Sequence, residues 1–112
     1  MVGGPMIDKL EALLASGRDS PDLRFALANA WLKAGDAERA IAHAGFAVQL
    51  KPDYSAAWRL LGQAQIAAGK NNDAATSFEQ GIEAAEKAGD RQASKEMQVF
   101  LRRLQRHPGG GS

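Results

Sequence analysis

The sequence predicts an all-α protein of about six helices that form antiparallel pairs and stack as a solenoid. Alanine, which has the highest helix propensity, dominates the apolar fraction, and few β-branched residues compete with it. Two segments coincide under one constant shift of the sequence, which pairs Leu27 with Leu61 and Gly35 with Gly69. A repeat of about 34 residues, divided by glycine and proline, is typical of stacked helical hairpins.

The size and charge of the chain exclude several classes of function. Its 112 residues fit one domain, and with no cysteine it forms no disulfide and no thiolate zinc site. Fourteen basic and thirteen acidic side chains give a net charge of +1, so no overall field attracts nucleic acid or anionic lipid. We find no secretory signal and no apolar run that could span a bilayer, and we therefore predict a cytoplasmic protein.

Start and stop signals divide the chain into six helices joined by short links. The predicted helices span about 6–16, 21–34, 37–50, 54–68, 71–88 and 90–106. The predicted N-caps are Ser20, Asp36, Asp53, Asn71 or Asn72, and Asp90. We expect one domain over 6–106, with repeats at about 21–54 and 55–88 and with flexible tails at 1–5 and 107–112.

The repeat resembles the tetratricopeptide repeat, which is about 34 residues long and has the spacing W-x2-L-G-x2-Y, then A-x3-F, then P. The second repeat matches that spacing at Trp58, Leu61, Gly62, Ala74 and Phe78. The first repeat matches at Leu27, Ala40 and Pro52, with Ala28 at the glycine site and Trp31 at the tyrosine site. The sites that depart from the family are Arg24, Ala44, Gln65 and Glu86. The resemblance covers about Pro21 to Ala88 and implies a right-handed solenoid that binds other proteins.

Residue volumes along the repeats predict how the helices pack. Small residues such as Gly62 let neighbouring helices approach closely, and large ones such as Phe78 fill the space between hairpins. Gly45 in mid-helix costs about 1 kcal/mol against alanine, and we expect a close backbone contact there. The last helix is predicted to cap the solenoid, with its inner face formed by Ala93, Met97, Phe100, Leu101 and Leu104. Its outer face is basic and contains Arg91, Lys95, Gln98, Arg102 and Arg106.

In the tetratricopeptide family, the first helix of each pair lines a concave groove that receives peptides or partner helices. Transferred by position, that face contains Phe25, Asn29, Leu32, Lys33, Tyr54, Arg59, Gln63, Ile66 and Ala67. Apolar area with a few polar groups suits a peptide or helix partner. Two alternatives remain: the face is only the solvated inside of a small bundle, or Leu32 and Ile66 belong to the core.

Some members of the family grip the C-terminal carboxylate of a partner with lysine, asparagine and arginine side chains. Asn29 occupies one of those sites, but Phe25 and Gln63 occupy two others. Ala93 and Met97 stand where a third repeat would supply the basic groups. The sequence therefore disfavours this clamp and favours a helix or an apolar segment as the partner.

No pattern of residues indicates catalysis, a metal site or a cofactor. The two histidines, His43 on an outer helix and His107 in the tail, are expected at the surface without partners for a metal. The basic face of the last helix leaves weak nucleic-acid binding as an alternative, although no aromatic residues are interleaved there for stacking. Self-association into a dimer is a further alternative, because two repeats are fewer than usually give a stable solenoid. A short repeat protein of this kind also resembles bacterial members of the family.

Overall fold

The computed structural model describes residues 4–106, and in that range every regular element is an α-helix. The helices are α1 (Gly4–Ala15), α2 (Pro21–Lys33), α3 (Ala37–Leu50), α4 (Ser55–Ala67), α5 (Asn71–Ala88) and α6 (Arg91–Arg106). The predicted all-α class with six helices is confirmed. Helix α1 begins at Gly4, slightly before its predicted start, and residues 1–3 and 107–112 of the predicted tails lie outside the described residues.

Three of the predicted N-caps make the expected hydrogen bonds. The Ser20 hydroxyl accepts from the backbone N–H of Leu23 at 3.1 Å. The Asp36 carboxylate accepts from the N–H of Arg39 at 3.0 Å, and the Asp90 carboxylate from residue 93 at 3.0 Å. Each cap satisfies an N–H group that has no partner within its own helix. The starts of α2, α3 and α6 are therefore local properties of the sequence.

The other two predicted caps are wrong. Helix α4 begins after Tyr54, so Asp53 lies one position too early, and no side chain caps this helix. Helix α5 begins at Asn71 after Lys70, so the predicted cap Asn71 or Asn72 lies inside the first turn. The turn before α5 closes with backbone bonds, since the N–H of Lys70 donates to the Gln65 carbonyl at 2.8 Å. The left-handed φ of +78° at Gly69 makes that closure possible, and α5 follows directly.

The two repeats differ in the length of their second helix. Pro52 follows the end of α3 at Leu50, as expected for a residue that cannot continue a helix. Glu86 occupies the equivalent position of the second repeat, and α5 continues through it to Ala88. The departure from the family proline therefore lengthens α5 to 18 residues, against 14 in α3.

Consecutive helices pack as antiparallel neighbours, and the first helices of the pairs also lie against one another, α2 on α4 and α4 on α6. The core has three clusters along the stack. The N-terminal cluster joins Ile7 of α1 to Trp31 of α2 and Ala40 of α3. The C-terminal cluster surrounds Phe78 and Met97, both fully buried. Among residues 4–106, no helix combines the length and apolar character that crossing a membrane requires.

Close approach of helices occurs at one predicted glycine and not at the other. A β-carbon at residue 62 would lie 2.5 Å from Cε1 of Phe78, so only glycine fits there without movement. At residue 45 a β-carbon would meet nothing within 4 Å. The close backbone contact predicted for Gly45 is therefore wrong, and nothing in the structure explains this glycine.

Candidate functional site

Helices α2 and α4, the first helices of the two pairs, lie against one another, and α4 also lies against the last helix, α6. The residues transferred from the family lie on or next to α2 and α4. They fall into three local groups rather than one surface.

The first group connects α1 and α2. Asn29 and Lys33 line a mainly apolar cleft of about 340 Å³ between the two helices. The cleft also contains Lys9, so two lysine ammonium groups flank it. Predicted groove residues thus face the N-terminal helix, which the sequence did not connect with a binding surface.

The second group is aromatic and lies between α2 and α4. The rings of Phe25 and Tyr54 stack with centroids 5.3 Å apart and planes inclined by 30°. The Lys51 ammonium lies 5.1 Å from the Tyr54 ring. Partial burial raises the pKa of the Tyr54 phenol, and the neighbouring Asp22 carboxylate raises it further. The neutral phenol thus interacts with the Asp22 carboxylate of α2, beside an apolar surface.

The two aliphatic residues of the predicted set are half-buried instead of exposed. Leu32 packs against both the N-terminal and the central core clusters. Ile66 packs against the C-terminal cluster around Phe78 and Met97. Other helices cover part of each side chain, so both are only partly available to a partner. Of the two alternatives in the sequence analysis, a solvated face or the core, this packing fits the core better.

The third group lies between α4 and α6. Arg59 donates from Nη1 to Glu96 Oε1 at 2.6 Å, and the pair is partly exposed. A pocket of about 350 Å³ next to this ion pair is lined by Arg59, Gln63, Glu96, Val99, Phe100 and Arg103. Val99 is 37% exposed and gives the pocket an apolar wall. We call this the α4–α6 pocket.

The sequence-based prediction missed the contribution of α6 to this pocket. That helix was assigned a capping role and, as an alternative, weak nucleic-acid binding, so Glu96, Val99 and Arg103 were not candidates for binding a protein partner. Their spacing of three and four positions places them on one face, between the apolar and the basic faces of the helix. This spacing was the available signal. Met97, in contrast, is fully buried in the C-terminal cluster, and Ala93 packs against that cluster while remaining partly exposed.

His43 lies in a polar contact between three helices and not at the surface. Only 13% of its side chain is exposed. Its Nδ1 lies 3.1 Å from Arg24 Nη1 of α2, and its Nε2 lies 3.4 Å from Glu11 Oε1 of α1. Burial lowers the pKa of His43 below its ordinary value of 6.5, and Glu11 opposes this effect while Arg24 adds to it. Within residues 4–106 no three His, Asp or Glu side chains cluster closely enough to hold a metal ion.

The lowered pKa of His43 predicts that stability falls under mild acid. The folded protein holds the imidazole neutral, whereas the unfolded chain takes up a proton near pH 6.5. The free energy of unfolding should therefore decrease as the pH falls from 7 to 5, and the His43→Gln variant should show a smaller decrease. Urea unfolding at half-unit pH steps measures both slopes. Equal slopes would contradict the assignment.

Two aspartates with shifted pKa values titrate below the interval from pH 7 to 5. The pKa values of Asp19 and Asp36 are lowered from 3.8, chiefly by hydrogen bonds from Arg24 to Asp19 and from the Arg39 backbone to Asp36. Their contribution is present above pH 3.8 and is lost as the pH falls through the lowered values. The interval from pH 7 to 5 therefore isolates His43.

The stacked helical hairpins define the class of protein as a helical repeat module. The sequence model of the tetratricopeptide repeat matches residues 32–95. The chain is 52% identical over 101 residues to the TPR repeat-containing protein PA0015 of Pseudomonas aeruginosa, an alignment that covers 90% of this chain and 96% of the relative. This chain belongs to the tetratricopeptide repeat family.

A solved structure agrees with this assignment. The solution structure of protein BPP2914 from Bordetella parapertussis superposes with a TM-score of 0.79 at 39% sequence identity. The match covers 92% of this chain and 90% of that one. The family is generally a non-catalytic scaffold for interactions between proteins. The fold and the family thus agree on an interaction module.

Proposed function

We propose that this protein binds a peptide segment or helix of another protein along α2, α4 and α6, with the α4–α6 pocket as its main anchor point. The observation that carries the proposal is the mixed lining of that pocket. Exposed Val99 lies beside the Arg59–Glu96 ion pair and the Gln63 amide. An apolar side chain of the partner would displace water from Val99, while the charged and amide groups fix its register.

The remaining predicted residues extend this surface toward α2. The Phe25–Tyr54 stack offers an aromatic area. Leu32 and Ile66 support the surface from the core side and contribute only part of their area. Leu32→Glu and Ile66→Glu would therefore place a charge against the core, so they test stability and binding together. Variants at the rim of the pocket are better tests of binding.

A selection experiment with matched variants tests the proposal. Short peptides selected from a displayed library on the wild-type protein would be titrated by fluorescence anisotropy. We expect Val99→Glu to weaken their binding at least tenfold, since the new carboxylate lies beside Glu96 in the pocket. Leu50→Glu is the matched control, because Leu50 is a 50% exposed apolar residue on α3, outside the pocket.

Circular dichroism of all three proteins checks that the fold is retained. Retained binding by Val99→Glu, or an equal loss in Leu50→Glu, would contradict the assignment of the pocket.

A further inference from the structure

Helix α1 occupies the position of the second helix of a repeat. Shifting residues 4–15 by one repeat length places them on residues 38–49, inside α3 (Ala37–Leu50). Under this shift Ile7 coincides with Ile41, and Leu14 coincides with Val48. Helix α1 packs on α2, as α3 packs on α4. Helix α2 packs against both α3 and α4. Within residues 4–106, no helix occupies the corresponding position against α1 and α2.

The exposure of equivalent residues shows the consequence. Ala40 of α3 and Ala64 of α4 are both fully buried, in a cluster that contains Trp31 of α2. Their equivalents one repeat earlier are more open, because Met6 is 68% exposed and Ala30 is only half-buried. Helix α2 covers Ala40 and Ala64, whereas no helix within residues 4–106 covers Met6 and Ala30 in the same way. The cleft between α1 and α2 therefore corresponds to the position that α2 fills against α3 and α4, but no helix within residues 4–106 fills it.

The composition of this cleft indicates the kind of helix it fits. We call it the N-terminal cleft, lined by Met6, Lys9, Leu10, Ala26, Asn29, Ala30 and Lys33. Its floor is apolar and contains two alanines of α2, which allow close approach of a helix backbone. Lys9 and Lys33 are its only charged lining residues in the described chain, and no carboxylate lines it. A partner with acidic flanks complements this charge.

We propose that the N-terminal cleft binds an amphipathic helix of another protein, with apolar residues on one face and carboxylates at its flanks. This helix would stand against α1 and α2 as α2 stands against α3 and α4. The α6 helix of a second copy is the other geometric candidate, because it ends the stack. Its Arg102, Arg103 and Arg106 would approach Lys9 and Lys33, and the like charges disfavour that pairing. This site is separate from the α4–α6 pocket.

The probe for this cleft is a copy of α2, the helix that fills the equivalent position against α3 and α4. A cross-linked helical peptide with the sequence of residues 20–34 presents the face that α2 presents to α3 and α4. Arg24 of α2 contacts His43, whose equivalent in α1 is Lys9. An acidic version of the peptide, with Arg24→Glu and Lys33→Glu, should therefore bind the N-terminal cleft at least tenfold more tightly than the unchanged peptide, measured by fluorescence anisotropy.

Variants of the protein locate the binding. Reversing both lysines of the protein, Lys9→Glu with Lys33→Glu, should weaken the acidic peptide at least tenfold and reverse the preference between the two peptides. Val99→Glu is the control, because it alters only the α4–α6 pocket and should leave this affinity unchanged. The proposed function is tested separately. It fails if Val99→Glu binds the library peptides as tightly as wild type, whatever the result with the acidic peptide.

Three outcomes would overturn the proposal. The acidic peptide fails to bind at a concentration of about 1 mM, or it binds the double lysine variant as tightly as wild type. Alternatively, sedimentation shows a wild-type dimer that the lysine reversal alters, which would identify a second copy as the occupant.

Discussion

Replacing Phe78 with alanine is expected to lower the free energy of unfolding by about 3–5 kcal/mol, the usual cost of a large buried aromatic. Phe78 is fully buried, and its ring stacks on Phe100 with centroids 5.1 Å apart and planes inclined by 5°. Its edge fills the space that Gly62 leaves open. Removing the ring would leave a cavity where α4, α5 and α6 meet. Since small domains have a total stability of about 5–15 kcal/mol, this loss is large.

Urea unfolding followed by circular dichroism measures this effect, and Phe46→Ala provides the control. Phe46 is 46% exposed, and its main contact is the Arg24 guanidinium, 4.3 Å from the ring centroid. An exposed cation–π contact contributes only about 0.5–1 kcal/mol, so the control should change little. A loss at Phe78 as small as that at Phe46 would show that the C-terminal cluster is not packed as described.

The second large effect is expected for Gly62→Ala, which should destabilise the protein by about 1–3 kcal/mol through overpacking. The new β-carbon would clash with the Phe78 ring, and the stack on Phe100 restrains that ring from moving aside. The double variant with Phe78→Leu should recover part of the loss, since the smaller side chain has no rigid ring. Thermal and urea unfolding of the single and double variants form a mutant cycle for this contact.

Gly45→Ala is the matched control and should have the opposite sign. A β-carbon there meets nothing within 4 Å, and alanine in mid-helix is favoured over glycine by about 1 kcal/mol. The two substitutions are chemically identical, so any difference between them arises from packing. Destabilisation by both would mean that α3 has a contact that the structure does not contain.

Much of the fold could be predicted because helices begin and end by local rules. Ser20, Asp36 and Asp90 accept the hydrogen bonds expected of N-caps, since a cap requires only residues three positions away. The prediction failed at Asp53 and at Asn71 or Asn72, where backbone bonds of the preceding turn decide the start of the helix. The cap of α4 lies one position later than predicted and the cap of α5 one or two positions earlier, and neither difference changes the architecture.

The candidate site was less predictable, because exposure depends on helices that are distant in sequence. Position in the repeat placed Arg59 and Gln63 on the open side, yet their partner Glu96 lies 37 residues beyond Arg59. For Leu32 and Ile66 the sequence left the groove and the core open, and neighbouring hairpins half-bury both. His43 was expected at the surface and instead joins α1, α2 and α3. No local pattern contains this information.

The sequence by itself determined the helical class, the number of helices and the family, since propensity, caps and the repeated pattern act over short stretches of chain. Only the tertiary structure decided which faces are covered. It left the N-terminal cleft open beside Met6, and it joined α4 to α6 through the Arg59–Glu96 pair. The physical reason is that burial is a property of the whole stack: each face is closed or open according to the helix that lies against it.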